Sequence, residues 1–191
     1  FDIPAKVNGS AKYAIDMRLP GMVYGVISRS PVNGAKPSLL NATEIRKITG
    51  VIEVVTLDHG IGVVADTLEK ALKAKAALRI EWSKGAKAAT HSSEQAYAEY
   101  TALVNDDSRK GRSLESKGDP ANAIKMATKV YTAMYKNDYL YHAQMEPLNA
   151  VVSLAVDGTS AEVWCGTQAP DSAKGAAARV LGLDESKVTL Y

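Results

Sequence analysis

The residues equipped for chemistry gather in two short stretches. His142, Gln144 and Glu146 precede Pro147, and Thr167 and Gln168 follow Gly166. An imidazole and a carboxylate four positions apart share a helix face, the spacing of many zinc-binding pairs. Pro147 opposes that reading, because the residue before a proline is driven toward extended backbone, and no third ligand lies in reach by sequence. Glu146 has two further readings. A buried carboxylate can be tuned as a general base; alternatively it accepts backbone amides and pins the turn before a strand. Gln168 is different in kind, since a neutral carboxamide both donates and accepts and suits a ligand with oxo groups and ring nitrogens. Gly166 permits close backbone approach there, and Pro170 stiffens the turn. Asp171, near the start of the helix that follows, repels a phosphate and is better read as a cap.

The elements that must position these groups are a hairpin and a helix. Two apolar runs, Asn149 to Val156 and Ala161 to Cys165, flank Asp157-Gly158, a strong local signal for a tight turn between antiparallel strands. The outer ends of such a pair lie side by side. The hairpin therefore brings His142, Glu146 and Gln168 toward one sheet edge. Ala173, Ala176, Ala177, Val180 and Leu181 then repeat at helical spacing, Gly182 closes that helix, and Val188 to Tyr191 opens another strand. Upstream, Lys129 to Lys136 alternates Val130, Thr132 and Met134 against Tyr131, Ala133 and Tyr135, which predicts a strand. Asp119-Pro120 predicts a helix start running to Ala127. Asn105 to Gly118 is charged and turn-rich, expected to be mobile or external and able to carry partner contacts. Ser92 with Gln95 caps a helix whose face is Ala96, Tyr97, Tyr100, Leu103 and Val104.

The first part of the chain alternates strands with short helices. Phe1 to Pro20 is turn-rich, with a tight turn expected at Asn8-Gly9. A strand follows over Met22 to Ser28, then a loop through Pro31 and Pro37, where two backbone donors are missing. A helix over Ala42 to Ile48 ends at Gly50. Val51 to Leu57 and Ile61 to Ala65 are strands around a turn that exposes His59. Asp66 and Glu69 form a capping-box pair for an amphipathic helix over Thr67 to Ala77, and Leu78 to Trp82 returns as a strand before a linker at Ser83 to Ala89. The class is α+β, a mixed α/β arrangement. No catalytic constellation lies in this part, so it reads as a packing or positioning module.

Composition narrows the function classes. With 191 residues, 46% hydrophobic and 23% charged, the chain can bury a core of its own. A net charge of +2, with the cations scattered among acids, gives no basic stripe of the kind nucleic acid requires. The apolar runs are too short for a membrane span, and no signal peptide is readable. The start at Phe1 is what an excised or processed piece would show. The single Cys165 forms neither an internal disulfide nor a thiolate cluster, and its apolar strand setting makes it a small hydrophobe. An iron–sulfur centre would have to sit on another chain or domain.

The stretches HAQMEPLNAVV, from His142, and EVWCGTQAPDSAKGAAARVLGLDESKVTLY, from Glu162, resemble the large subunit of isoquinoline 1-oxidoreductase and its relatives among the molybdenum hydroxylases, which include xanthine dehydrogenase and aldehyde oxidoreductase. AKVNGSAKYAIDMRLPGMVYGVISRSP, KITGVIEVV and IGVVADTLEKALKAKAALRIEWSKG resemble the α/β hammerhead domain that precedes the molybdenum domain in that family. Together they cover the chain except residues 86–122. The resemblance implies a hammerhead over residues 1–85, a helical connector with a loop over 86–128, and the start of a molybdenum-cofactor-binding domain over 129–191. It implies hydroxylation of a carbon beside a ring nitrogen, or of an aldehyde carbon, with oxygen from water. It also implies molybdenum held by a pterin dithiolene in molybdopterin cytosine dinucleotide, which needs no Cys or His from the protein. By the same resemblance His142, Glu146, Thr167 and Gln168 are cofactor-binding candidates, [2Fe-2S] clusters sit on a small partner subunit, and a cytochrome is the acceptor. Relatives of the isoquinoline type are often exported, so the expected compartment is the periplasm, with the cytoplasm as the alternative. The family's Gly-rich loop and its catalytic glutamate lie beyond Tyr191, so this piece alone is expected to be inactive. Two other classes stay open: a non-enzymatic protein-binding module, and a hydrolase using Glu146 and His142.

Overall fold

A computed structural model describes residues 3–191. The chain divides into two compact units, residues 21–134 and a second made of residues 3–20 with 135–191. Helix α1 (Ile3–Asn8) ends at Gly9, which takes φ +77. The turn expected at Asn8-Gly9 is therefore the exit of a helix that composition concealed.

The unit of residues 21–134 is built on β1 (Tyr24–Arg29), β2 (Pro37–Leu39), α2 (Ala42–Arg46), β3 (Val51–Leu57), β4 (Gly60–Ala65), α3 (Leu68–Ala76) and β5 (Ile80–Trp82). Strand β4 is central, paired antiparallel with β1 (Val26 opposite Val63) and with β3 (Val54 opposite Val63). That explains its unbroken apolar sequence: Ile61, Val63 and Ala65 are fully buried, and with Ile45, Val54 and Ala74 they make the core. Gly60 is required where β4 begins, since a Cβ there would collide with the Ser28 carbonyl. The loop expected through Pro37 instead contains β2, which pairs with β5 from Pro37 opposite Trp82. As the first residue of an edge strand, a proline is tolerated there. Buried Asn41 locks this corner, donating from Nδ2 to the Ala77 carbonyl at 2.9 Å and accepting from the Arg79 amide at 2.9 Å.

The cap of α3 differs from expectation. Thr67, not Asp66, is the N-cap, its hydroxyl accepting from the Lys70 amide, while Asp66 pairs with the Lys70 ammonium at 2.7 Å. Either residue can cap; backbone direction at Thr67 decided. Helix α4 (Ser93–Val104) has its Ser92 cap as expected, yet of its predicted face only Ala96 is buried. Helix α5 (Pro120–Met126) starts on the Asp119 cap and buries nothing.

The strand expected over Lys129 to Lys136 is absent: the backbone there is irregular, and Tyr131 and Tyr135 are 81% and 90% exposed. Alternation supplies two faces but no partner, and a strand without hydrogen-bonded neighbours does not persist.

In the other unit, β6 (Val151–Leu154) and β7 (Ala161–Trp164) form the expected hairpin, with Val152 opposite Val163. Its turn is closed by the Gly158 amide donating to the Ala155 carbonyl at 2.8 Å, and Gly158 takes φ +71, a left-handed conformation suited to glycine. Helix α6 (Pro170–Leu181) carries the chain to β8 (Val188–Leu190), which runs parallel to β7. Gly182, at φ +69, ends α6 as read from sequence. Ala161, Val163, Ala178 and Val188 form the core, with half-buried Cys165 packed against it.

Candidate functional site

Strand pairing builds the site. Val151 lies opposite Trp164, so the residues before β6 and those after β7 emerge from one end of the sheet. They line an open cleft of about 510 Å³ formed by His142, Gln144, Glu146, Pro147, Leu148, Asn149, Gly166, Thr167 and Gln168. His142, Glu146, Thr167 and Gln168 are thus brought together. Residues 142–146 are not helical, as Pro147 dictates, so His142 and Glu146 do not share a helix face. Ala143, between His142 and Gln144, holds φ +47, a left-handed conformation that costs a residue with a Cβ on the order of 1 kcal/mol.

Glu146 is fixed by three neighbours. Its Oε1 accepts from the Ile15 amide at 3.3 Å and from Asn149 Nδ2 at 3.0 Å; its Oε2 faces Gly166, where a Cβ would lie 3.1 Å away. Asn149 Nδ2 also donates to the Pro147 carbonyl at 2.8 Å, which fixes the orientation of its amide and leaves its buried Oδ1 unpaired. The Thr167 hydroxyl oxygen accepts from the Ala169 amide at 3.1 Å and braces the chain entering α6. Asp171 lies in the first turn of α6, but the N-cap is Ala169 and no side chain caps the helix, contrary to the reading of Asp171 as cap.

Asn149 and the Ile15 amide were not singled out from sequence, and Gln144 was noted beside His142 and Glu146 without being placed among the cofactor-binding candidates. Asn149 carries a legible signal, a short amide two positions after Pro147. Ile15 carries none, because its partner is 131 positions away.

The donor set decides what the cleft can hold. Amides of Gln144 and Gln168, the Thr167 hydroxyl and the His142 ring offer hydrogen-bonding groups around the Glu146 carboxylate, beside an apolar wall of Pro147 and Leu148. That fits the ring of a pterin. The lining contains no lysine or arginine, so a dinucleotide phosphate finds no balancing charge in it.

Comparison with known proteins gives the same class. Residues 104–191 match the family described as the molybdopterin cofactor-binding domain. Over nearly its whole length the chain is similar to subunits named for oxidoreductases and dehydrogenases. It is 31% identical over 195 residues to the beta subunit of isoquinoline 1-oxidoreductase from Brevundimonas diminuta, covering 100% of this chain and 25% of that protein. It is 30% identical over 197 residues to a nicotinate dehydrogenase subunit of Pseudomonas putida, covering 99% of this chain and 16% of that one. A third relative, at 30% identity over 198 residues, is the membrane-bound aldehyde dehydrogenase of Gluconacetobacter polyoxogenes, whose name carries pyrroloquinoline quinone; this chain covers 25% of it. The chain therefore spans a quarter or less of these proteins. In fold it is similar to quinoline 2-oxidoreductase from Pseudomonas putida 86, with a TM-score of 0.66 at 16% identity over 98% of this chain and 28% of that one. It is also similar to Cu,Mo-CO dehydrogenase, with a TM-score of 0.64 at 16% identity over 98% of this chain and 29% of that one. Among the described residues no helix is long and apolar enough to cross a membrane.

Proposed function

We propose that this chain is a portion of the large subunit of a molybdenum hydroxylase that oxidises an N-heteroaromatic or aldehyde carbon, and that its cleft is one wall of the pterin pocket. The observation that carries the reading is a coincidence of place. The concave site in which the candidate residues meet lies inside residues 104–191, the span that matches the molybdopterin cofactor-binding domain. Likeness to two oxidoreductase subunits named for N-heteroaromatic compounds over nearly all of the chain supports the substrate class.

In this role Gln144 and Gln168 would pair with the edge of the pterin, the Thr167 hydroxyl would donate to it, and Pro147 with Leu148 would cover one side and exclude water. His142 would supply one further hydrogen bond. When bound, the cofactor supplies the redox-active molybdenum that receives electrons from the substrate carbon. The cytosine dinucleotide form, the [2Fe-2S] clusters on a small partner subunit and a cytochrome acceptor belong to the same reading, by resemblance to the isoquinoline type. Since the cleft lining holds no cation, the dinucleotide phosphates would be bound by parts of the subunit other than this wall. The periplasm is the proposed compartment on that resemblance alone; detection of the protein only in the cytoplasmic fraction of its host would overturn that point.

The test is metal and pterin content. The whole subunit, expressed in a host that makes the cofactor, is expected to carry about one molybdenum per chain by elemental analysis, and Gln168→Ala to lower that content. Absence of molybdenum from the folded wild-type subunit would overturn the proposal. A second reading, a non-enzymatic protein-binding module, is favoured by the exposed apolar residues Tyr135, Leu140, Tyr141, Met145 and Leu148. Restoration of oxidoreductase activity on mixing this chain with the rest of its polypeptide would decide against it.

A further inference from the structure

We infer that Glu146 is a positioning residue that fastens the N-terminal turn to the cleft and sets the spacing between the two cleft walls. The inference rests on the pterin-pocket reading only for its functional consequence; the fastening itself stands on geometry.

Residues 13–18 form a closed loop. The Asp16 amide donates to the Tyr13 carbonyl at 3.0 Å, Asp16 Oδ2 accepts from the Tyr13 amide at 3.1 Å, and Arg18 Nη1 donates to the carbonyls of Ile15 at 2.8 Å and Met17 at 2.7 Å. The loop does not hold itself down by burial. None of residues 3–20 is fully buried, and Tyr13 and Ile15 are 41% and 43% exposed. Its outward amide, Ile15 N–H, is donated to Glu146. The Glu146 carboxylate therefore fastens a turn in which no described residue is fully buried.

The same carboxylate spans the cleft floor. Oε1 is engaged on the side of Asn149 and the 142–149 loop, and Oε2 lies against Gly166 on the side that carries Thr167 and Gln168. A side chain at position 166 would push the carboxylate away. Gly166 and Glu146 thus meet closely where the 142–149 loop faces the strand end that carries Thr167 and Gln168. Oε1, which accepts two donors, is suited to holding, while any base chemistry would fall to Oε2, so the Glu146→Gln outcome below separates the two roles.

Two measurements test this. In the 191-residue chain, hydrogen exchange at the Ile15 amide is expected to quicken by roughly fivefold in Glu146→Ala, the opening of one hydrogen bond, and to stay near wild type in Glu146→Gln, whose Oε1 still accepts. Unchanged Ile15 exchange in a folded Glu146→Ala chain would overturn the tether. In the whole subunit, Glu146→Ala and Gly166→Ala are both expected to lose molybdenum and pterin several-fold, with Glu146→Gln retaining both together with turnover. Full cofactor content in Glu146→Ala and Gly166→Ala would overturn the wall-spacing role, and a loaded but inactive Glu146→Gln would make Glu146 a base instead. Wild-type subunit without cofactor would fail the pterin-pocket reading and leave the exchange result to decide the tether.

Discussion

Two polar residues show how differently a side chain can be placed for stability. Asn41 is buried and fully used, each half of its amide serving one backbone group. Asn41→Ala strands the Ala77 carbonyl and the Arg79 amide, so a loss on the order of 2 kcal/mol is expected in denaturant unfolding. Asp157 sits on the surface, where the Thr159 amide and then the Thr159 hydroxyl hold its carboxyl below the usual aspartate range. A depressed folded value means that the stabilisation is present above the unfolded value and fades as pH falls through the folded one. The melting temperatures of wild type and Asp157→Ala should therefore differ above the ordinary aspartate range and draw together as pH falls below it; a gap that does not narrow would show that the carboxylate contributes nothing. Tyr191 is the opposite case. The Tyr191 hydroxyl donates a hydrogen bond to the Glu162 carboxylate at 2.8 Å, which pushes the phenol up, so its contribution is present below the ordinary tyrosine range and lost as pH rises through the raised value.

At the scale of elements, caps and core positions carry the fold. Thr67→Ala should destabilise α3 by about 1 kcal/mol, and Asp66→Ala should cost less, because Asp66 forms only an exposed pair with Lys70. Equal losses would restore Asp66 as the cap. Ile61 lies at the centre of the β1-β4-β3 sheet with no exposed surface, so Ile61→Ala is expected to cost about 2–5 kcal/mol, read from the unfolding midpoint. The β6-β7 hairpin was legible because its signals are local: alternation on both sides and Asp-Gly at the turn. Lys129 to Lys136 displays the same alternation and forms no strand, because pairing depends on a neighbour that a one-dimensional pattern cannot supply. The short strand β2 was hidden for the converse reason. Pro31 before it and Pro37 within it read as loop, yet Pro37 at an edge strand's first position leaves the pairing with β5 intact.

For the molecule as a whole, the chain represents a quarter or less of the relatives it matches, and its cleft is open. By itself it is expected to hold molybdenum only far below one atom per chain and to show no turnover; a stoichiometric metal content in the isolated chain would contradict this. Coexpression with the remainder of the large polypeptide should restore both, since a pocket built from one wall lacks the enclosure that ligands of this size require.

The sequence by itself determined the α+β class, the hairpin, the helix ends at Gly182 and Ser92, and the meeting of His142, Glu146, Thr167 and Gln168 at one sheet end, because each follows from periodicity, turn chemistry or strand direction within some thirty residues. Only the tertiary structure decided that Ile15 and Asn149 hold Glu146, that Asn41 locks the β2-β5 corner, and that Lys129 to Lys136 stays unpaired. Those outcomes rest on contacts between groups distant in the chain, or on their absence, and such contacts are set by how whole elements pack rather than by any local preference of the residues that make them.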